Sequence, residues 1–264
     1  MGKIIAICNQ KGGTGKTTSA INLASYLALA QKNVMLIDLD PQANATSGVG
    51  LNKHTIQKST YHVLLEELPI KEILQPTAIP TLHVAPSNLD LTGAEIELVS
   101  VLGREYRLKR ALIGIKEEFD FIIIDCPPSL GLLTINGLCA ADGLIIPVQC
   151  EYYALEGLSQ LSNTIKLVKD NLNPELAIEG VLLTMADFRT NLTKEVIAEA
   201  RNHFHGKVYG TVIPRSIRLS EAPSYGKPIA LYDKDSIGAK KYEELSKELL
   251  GIPFKAENIT EGVV

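Results

Sequence analysis

Apolar and polar positions alternate along this chain in two kinds of block. Short runs without internal period have the length and continuity of strands buried on both faces: Ile4-Ile5-Ala6-Ile7-Cys8, Val34-Met35-Leu36-Ile37, Phe121-Ile122-Ile123-Ile124, Gly143 to Val148, Gly180 to Thr184 and Val208 to Ile213. Leu82-His83-Val84 is a shorter strand of the same kind. Between them, apolar residues recur at helical spacing. Ile21, Leu23, Ala24, Leu27 and Ala28 do so within Ser19 to Gln31, and further helices are predicted for Tyr61 to Glu67, Leu91 to Ile115, Ala154 to Lys169, Thr193 to His203 and Ile237 to Leu250. Arg104, Arg107, Lys109 and Arg110 are expected on the exposed side of the helix from Leu91. Residues 44–60, rich in Asn, Ser, Thr and Gly, read as loop, and Pro69, Pro76 and Pro80 punctuate a connection.

Strands alternating with amphipathic helices predict an α/β fold: a single doubly wound, mostly parallel sheet with helices on both faces. No repeat, low-complexity tract or linker interrupts it, so one domain is expected over residues 1–250, with a loosely held tail over 251–264. A chain of 264 residues can bury a sufficient core without disulfides or a structural metal. A hydrophobic fraction of 45% and a charged fraction of 21% are ordinary for a water-soluble domain. Cys8, Cys126, Cys139 and Cys150 form no C-x-x-C, which suits reduced core thiols of a cytosolic protein. No signal peptide and no membrane-spanning run is evident, so a cytoplasmic location is expected.

Chemistry concentrates where strands end. The first strand runs into Gln10-Lys11-Gly12-Gly13-Thr14-Gly15-Lys16-Thr17-Thr18, and a helix follows. Strand, glycine-rich turn and helix form the setting of a phosphate-binding loop, the hallmark of a P-loop NTPase. Its backbone N–H groups and the helix dipole would cradle phosphates, Lys16 would reach the β- and γ-phosphates, and the Thr17 hydroxyl would ligate Mg²⁺. An ordinary glycine turn is the bland alternative. Asp125, after the run of isoleucines, has the placement of a Walker B aspartate that holds Mg²⁺ directly or through water, or else of a turn aspartate. Asp38 and Asp40 fall on one side of an extended chain by the period-two rule, although Asp40-Pro41 also suits a plain turn. In a doubly wound sheet, ligands lie at the carboxyl ends of the strands, where all three signals converge.

The loop departs from G-x-x-x-x-G-K-[ST], because Gln10 stands where the first glycine belongs. Lys-Gly-Gly-Thr-Gly-Lys-Thr instead resembles the deviant Walker A box of the ParA/MinD family of ATPases, with Lys11 as the signature lysine. The resemblance runs from Lys3 to about Leu250 and is strongest with the short chromosomal ParA (Soj) group. It implies a homodimer that forms when ATP is bound, with Lys11 reaching the partner's phosphates. Lys11, Lys16 and Asp40 would be catalytic, Asp40 would polarise the attacking water, and Asp38 would stand nearer the magnesium. Pro214 and Ser216 would contact adenine, adding to a nucleotide site that spans Lys11, Gly12, Gly13, Thr14, Gly15, Lys16, Thr17 and Thr18. The run Gln149 to Gly157 would border the dimer interface, with Glu151 as a cross-subunit contact.

Several branches share this loop, and the remaining sequence separates them. The C-terminal stretch has neither the cationic nor the apolar face of a membrane-binding helix. Leu132 stands where an iron–sulfur relative carries cysteine. Residues 189–227 hold seven basic residues against three glutamates, a local excess of four in a chain of net charge −4. Such a patch suits the phosphate backbone of DNA, and a plain solvated basic face is the alternative. By the same resemblance Arg189 and Arg218 would contact double-stranded DNA, and a ParB/Spo0J-type centromere-binding protein would stimulate hydrolysis. With no winged or helix-turn-helix extension before the loop, the DNA contact is expected to be non-specific and the protein nucleoid-associated. The expected function is a chromosome- or plasmid-partitioning ATPase with ATP and Mg²⁺ as cofactors. The alternative is a metabolic ATPase such as a small-molecule ligase or kinase.

Overall fold

The computed structural model describes residues 2–151 and 158–253. Eight strands form one sheet in the order β3-β4-β2-β5-β1-β6-β7-β8: β1 (Lys3–Ile7), β2 (Val34–Asp38), β3 (Gln75–Pro76), β4 (Leu82–Ala85), β5 (Phe121–Asp125), β6 (Gly143–Gln149), β7 (Ala177–Ala186) and β8 (Val208–Pro214). All pairings are parallel except the short edge strand β3, which runs antiparallel to β4. The helices are α1 (Lys16–Leu29), α2 (Asn44–Gly48), α3 (Thr60–Leu65), α4 (Leu91–Glu97), α5 (Arg107–Ala111), α6 (Leu132–Ala140), α7 (Leu158–Asn171), α8 (Asn191–His203), α9 (Ile217–Glu221), α10 (Ile229–Tyr232) and α11 (Ile237–Leu249).

Period-two alternation divides the central strands between two cores. Ile4 and Ala6, Met35 and Ile37, and Ile122 and Ile124 point to one face, where α4, α5 and α6 cover them. Ile5 and Ile7, Val34 and Leu36, and Ile123 point to the other, beneath α1 and α11. Both faces of the middle strands are therefore dry, which is why their sequences read as unbroken apolar runs. All four cysteines are buried and free.

Several elements depart from the sequence reading, each for a local reason. The helix expected over Leu91–Ile115 is broken: α4 passes into a 3-10 turn at Leu98–Ser100, and Gly103 adopts φ +63° before a second turn and α5. A Cβ at Gly103 would stand 2.7 Å from the Arg110 guanidinium, so the break is built around glycine. Arg104 and Arg107 are consequently half-buried instead of lying on an exposed face. Within the expected loop 44–60, the weakly helical Asn-Ala-Thr-Ser-Gly forms α2, because the Asp38 carboxylate takes both the backbone and side-chain hydrogen bonds of Thr46. Helix α6 escaped notice because Leu-Leu-Thr-Ile-Asn-Gly-Leu-Cys-Ala is apolar on nearly every side and shows no amphipathic period. The helix expected from Ala154 is described from Leu158, and the start of the former lies outside the described residues, as does most of the expected tail.

Helix α6 reaches the sheet through Gly137, where a Cβ would meet Cys126 Sγ at 2.9 Å and Leu39 Cδ1 at 3.4 Å. Gly137→Val is expected to destabilise the fold by about 1–3 kcal/mol through overpacking. A urea midpoint matching the wild type at unchanged slope would contradict this seating of α6.

Candidate functional site

The ends of β1, β2 and β5 lie side by side. Ile7 pairs with Asp125, and Asp38 pairs with Asp125 on its other side. Beyond Ile145 the ladder between β1 and β6 stops, close to Pro147, which has no N–H to donate. The Pro147 carbonyl instead accepts Asn9 Nδ2 at 2.7 Å, and Asn9 Oδ1 accepts the Lys11 N–H at 3.0 Å. Asn9, missed in the sequence, therefore starts the glycine loop in a fixed direction. Thr184, also missed, clamps it from β7: its hydroxyl donates to the Thr14 carbonyl at 2.9 Å.

Gly13 at φ +75° and Gly15 at φ +86° turn the loop into α1, and both are left-handed conformations that favour glycine. Gly15 caps α1, but no side chain caps the helix and no acid sits in its first turn. The first N–H groups of α1 thus await an acceptor at the positive end of the dipole, a ready anion site. Lys16, buried, donates from Nζ to the Lys11 carbonyl at 3.1 Å. Burial pulls its pKa down, and the charges of Asp125 and Asp40 among others oppose that shift.

The carboxylates differ sharply in their partners. Asp38, fully buried, accepts the Thr46 N–H at 2.8 Å and the Thr46 hydroxyl at 2.7 Å on Oδ2, and the Asp40 N–H at 3.1 Å on Oδ1. Asp40 accepts the Gln42 N–H at 2.9 Å and opens a tight turn closed by Ala43, a non-glycine residue at φ +53°. Asp125 is wholly buried and neither of its oxygens makes a well-formed hydrogen bond. The Thr17 hydroxyl lies near enough to favour its charged form without completing that geometry, and Lys16 adds its charge. Desolvation outweighs both and, with the Asp38 charge, pushes the Asp125 pKa well up.

An orphaned buried carboxylate beside a threonine hydroxyl is a fitting place for a hard cation. Among the described residues no three His, Cys, Asp or Glu side chains gather to hold a metal by themselves. That donor set suits Mg²⁺, which takes one or two protein ligands and completes its shell with phosphate oxygens and water. A cavity of about 220 Å³ adjoins the loop, lined by Gly15 and Thr18, by Pro214 and Ser216 as the sequence led one to expect, and by Thr184, Met185 and Leu219. Lys11, Gly12 and Gly13 lie at the surface edge of the loop, where a Cβ on Gly12 would meet nothing within 4 Å.

The arginines predicted for DNA stand apart from this pocket. Arg189 is exposed and clasps Asp187 through Nε at 2.8 Å and Nη2 at 2.7 Å. Arg218, on α9, pairs with Glu221 at 3.1 Å and Asp233 at 3.4 Å. Arg215 pairs with Glu151 at 3.1 Å. Asp187, Asp233 and Glu151 all lie outside the segment counted as basic, so this patch is less positive than its sequence suggests. Tyr152 to Gly157, the rest of the expected interface run, lies outside the described residues.

The AAA domain family AAA_31 matches residues 2–178. The sporulation initiation inhibitor protein Soj of Bacillus subtilis is 59% identical over 249 residues, which cover 94% of this chain and 98% of that protein. The chromosome partitioning protein ParA of Myxococcus xanthus is 55% identical over 250 residues, 95% of this chain and 88% of that one. A Mycobacterium smegmatis structure described as cobyrinic acid a,c-diamide synthase with bound ADP and magnesium superposes with a TM-score of 0.84 at 37% identity, over 95% of this chain and 94% of that one.

A buried carboxylate so short of well-formed hydrogen bonds should burden the folded chain. Asp125→Asn is therefore expected to raise the unfolding free energy of the ligand-free chain by about 1–3 kcal/mol at neutral pH, since the folded state disfavours the ionised acid. Thermal and urea unfolding measure this, and a destabilised Asn variant would mean that the carboxylate is satisfied in the free protein.

Proposed function

This chain belongs to the ParA/Soj family of deviant Walker A ATPases, and from that premise we propose that it is an ATP-driven dimerising switch for partitioning DNA. The observation that carries the proposal is the edge where an uncapped α1, buried Lys16 and the orphaned Asp125 carboxylate converge beside a base-sized cavity. The loop amides and Lys16 bind the phosphates, and the cavity at Pro214 and Ser216 takes the adenine. Thr17 and Asp125 would hold Mg²⁺, which would supply neutralisation of charge on the phosphate oxygens. The hydrogen bonds filling Asp38 give it another task, fixing the loop that presents Asp40. Asp40 orients and polarises the water that attacks the γ-phosphate, and a lone carboxylate is a weak base, so unstimulated turnover is slow.

Lys11 at the surface edge reaches the phosphates of a second subunit, so ATP closes a homodimer. A Gly12 that faces open space in the free chain suits a surface meant to meet another backbone. Dimerisation sets two copies of Arg189 and Arg218 against one duplex, and the second contact becomes effectively intramolecular. A ParB-type partner stimulates hydrolysis, and the duplex is released. The name carried by the mycobacterial structure favours a second reading, an ATP-consuming amide synthase. The two are separated by whether phosphate release responds to duplex DNA and a ParB-type protein, or to a small carboxylate acceptor and a nitrogen donor.

Two variants divide the switch into its steps. Asp40→Ala should bind ATP and accumulate as a dimer in size-exclusion chromatography while phosphate release falls about 10²-fold or more. Gly12→Val should keep nucleotide affinity by calorimetry yet stay monomeric with ATP. A Gly12→Val dimer as stable as the wild type would refute the sandwich arrangement.

Duplex binding gives a further measurement. Arg189→Glu and Arg218→Glu should each weaken ATP-dependent binding to two unrelated duplexes alike, and lower the slope of log affinity against log salt by about one for each phosphate no longer engaged. Fluorescence anisotropy with ATP and with ADP reads this. Equal affinity with either nucleotide would remove the switch.

A further inference from the structure

Arg107 opens α5 with its side chain only 13% exposed, and its Nε–H is buried without an acceptor. A guanidinium keeps its charge at any working pH, so a covered one needs acceptors for its donors. Arg107 has one acid partner: Nη1 donates to Glu67 Oε1, and that carboxylate side chain is 66% exposed. The cation is thus withdrawn from water while its partner stands mostly in it. Glu67 also sits in a disfavoured backbone conformation. It follows α3 at φ +57°, in the left-handed region where glycine or asparagine commonly stands, and the Leu68 N–H closes the turn on the His62 carbonyl at 3.2 Å. An ion pair this open to water gains little, and the turn that presents the acid is strained, so Glu67 is a weakly held occupant of Arg107.

A cavity of about 290 Å³ opens between α3 and α5 at this pair. Val63, Leu68, Pro69 and Ala111 form apolar walls, and Glu67, Arg107 and Arg110 supply the charged ones. Among the described residues the Arg110 side chain makes no hydrogen bond and no ion pair, although it stands three residues after Arg107 and faces the same space. Two guanidinium groups against one loosely held acid leave the cavity with an excess of positive charge. Its walls are braced separately. The Thr60 hydroxyl at the start of α3 donates to the Asp38 carbonyl at 3.0 Å, and Asn136 of α6 accepts the Leu108 N–H of α5 at 3.1 Å. The cavity shares no lining residue with the one beside the phosphate loop.

We propose that this cavity is a second ligand site, separate from the nucleotide edge, for a small organic anion: a carboxylate or phosphate group on a compact apolar body. The anionic head takes the place of Glu67 against Arg107 and engages the free guanidinium of Arg110, whose planar fork suits either head group. The apolar body lies against Val63, Leu68, Pro69 and Ala111, the mixed lining expected of a small-molecule site. Glu67 turns into the water that already surrounds most of it. In the free chain it is an internal competitor that keeps Arg107 paired until the ligand arrives.

The probes are benzoate and phenyl phosphate, with neutral benzamide and inorganic phosphate as controls, each titrated into the full-length chain and followed by backbone amide resonances. Benzoate and phenyl phosphate should shift residues 63–69 and 107–111 saturably, and the tighter of the two identifies the head group. Resonances of residues 12–18 report any phosphate taken up by the glycine loop and separate it from this site. Benzamide lacks the charge and inorganic phosphate the apolar body, so each should bind here about ten-fold or more weakly. Arg110→Gln, an exposed change, should weaken benzoate about ten-fold or more. Glu67→Gln keeps the turn and the side-chain volume but removes the competing charge, and should tighten benzoate about three-fold or more. A pair that serves only to join α3 to α5 predicts no such gain. No saturable shift at residues 63–69 and 107–111, equal shifts with benzamide or inorganic phosphate, full affinity in Arg110→Gln, or no gain in Glu67→Gln would each overturn the proposal.

Discussion

Like charge gathered in a dry place governs this molecule. Parallel pairing brings the ends of β2 and β5 into register, so Asp38 and Asp125 are neighbours with Asp40 two residues on, and burial denies them water. Lys16 adds a buried ammonium whose own charge is disfavoured there. Asp38 resolves its share of the conflict by gripping Thr46 and the Asp40 turn. Asp125 is left unresolved in the free chain. The folded chain therefore carries an energetic disadvantage at Asp125, one that a cation held there with Thr17 would relieve.

Much of this was legible in the sequence because it depends on short spacings. The central strands announce themselves through runs such as Phe121 to Ile124, since residues dry on both faces have no polar alternation to blur them. The glycine loop is readable because Gly13, Gly15, Lys16 and Thr17 each answer one steric or charge requirement within a few residues. What escaped depends on distant partners. Thr184 becomes part of the loop only because β7 delivers its hydroxyl to Thr14, 170 positions away. Asn9 gains its meaning from the carbonyl of a proline that leaves the ladder. Helix α2 exists through Asp38 more than through its own weak propensity. The basic segment misled for the same reason, since counting charge along the chain overlooks acids such as Asp187 and Asp233 folded against it.

The two sides of the sheet divide their labour. Helices α1 and α11 close one core and hold the phosphate loop, with Ser19 and Tyr242 joined at 3.0 Å between them. The other side carries α4 and α6, which lean on the loops after β2 and β5. The loop after β5 is braced from that second side, while the Asp40 turn is held from both, since α2 packs towards α1 through Ala45 and its Thr46 hydroxyl also accepts the Ser87 N–H.

The buried thiols give the fold a chemical consequence of its own. Burial pushes Cys139 up to about 11 and Cys150 up to about 12, and Cys126 is raised as well. At neutral pH Cys126, Cys139 and Cys150 therefore offer almost no thiolate to an alkylating or oxidising reagent. Cys8 directly follows β1, the strand that feeds the phosphate loop, and Cys126 follows Asp125 directly. Their modification must wait for that edge to open, while Cys139 waits on α6. Labelling rates at these positions become a clock for local breathing, already inscribed in the native chain and needing no added probe.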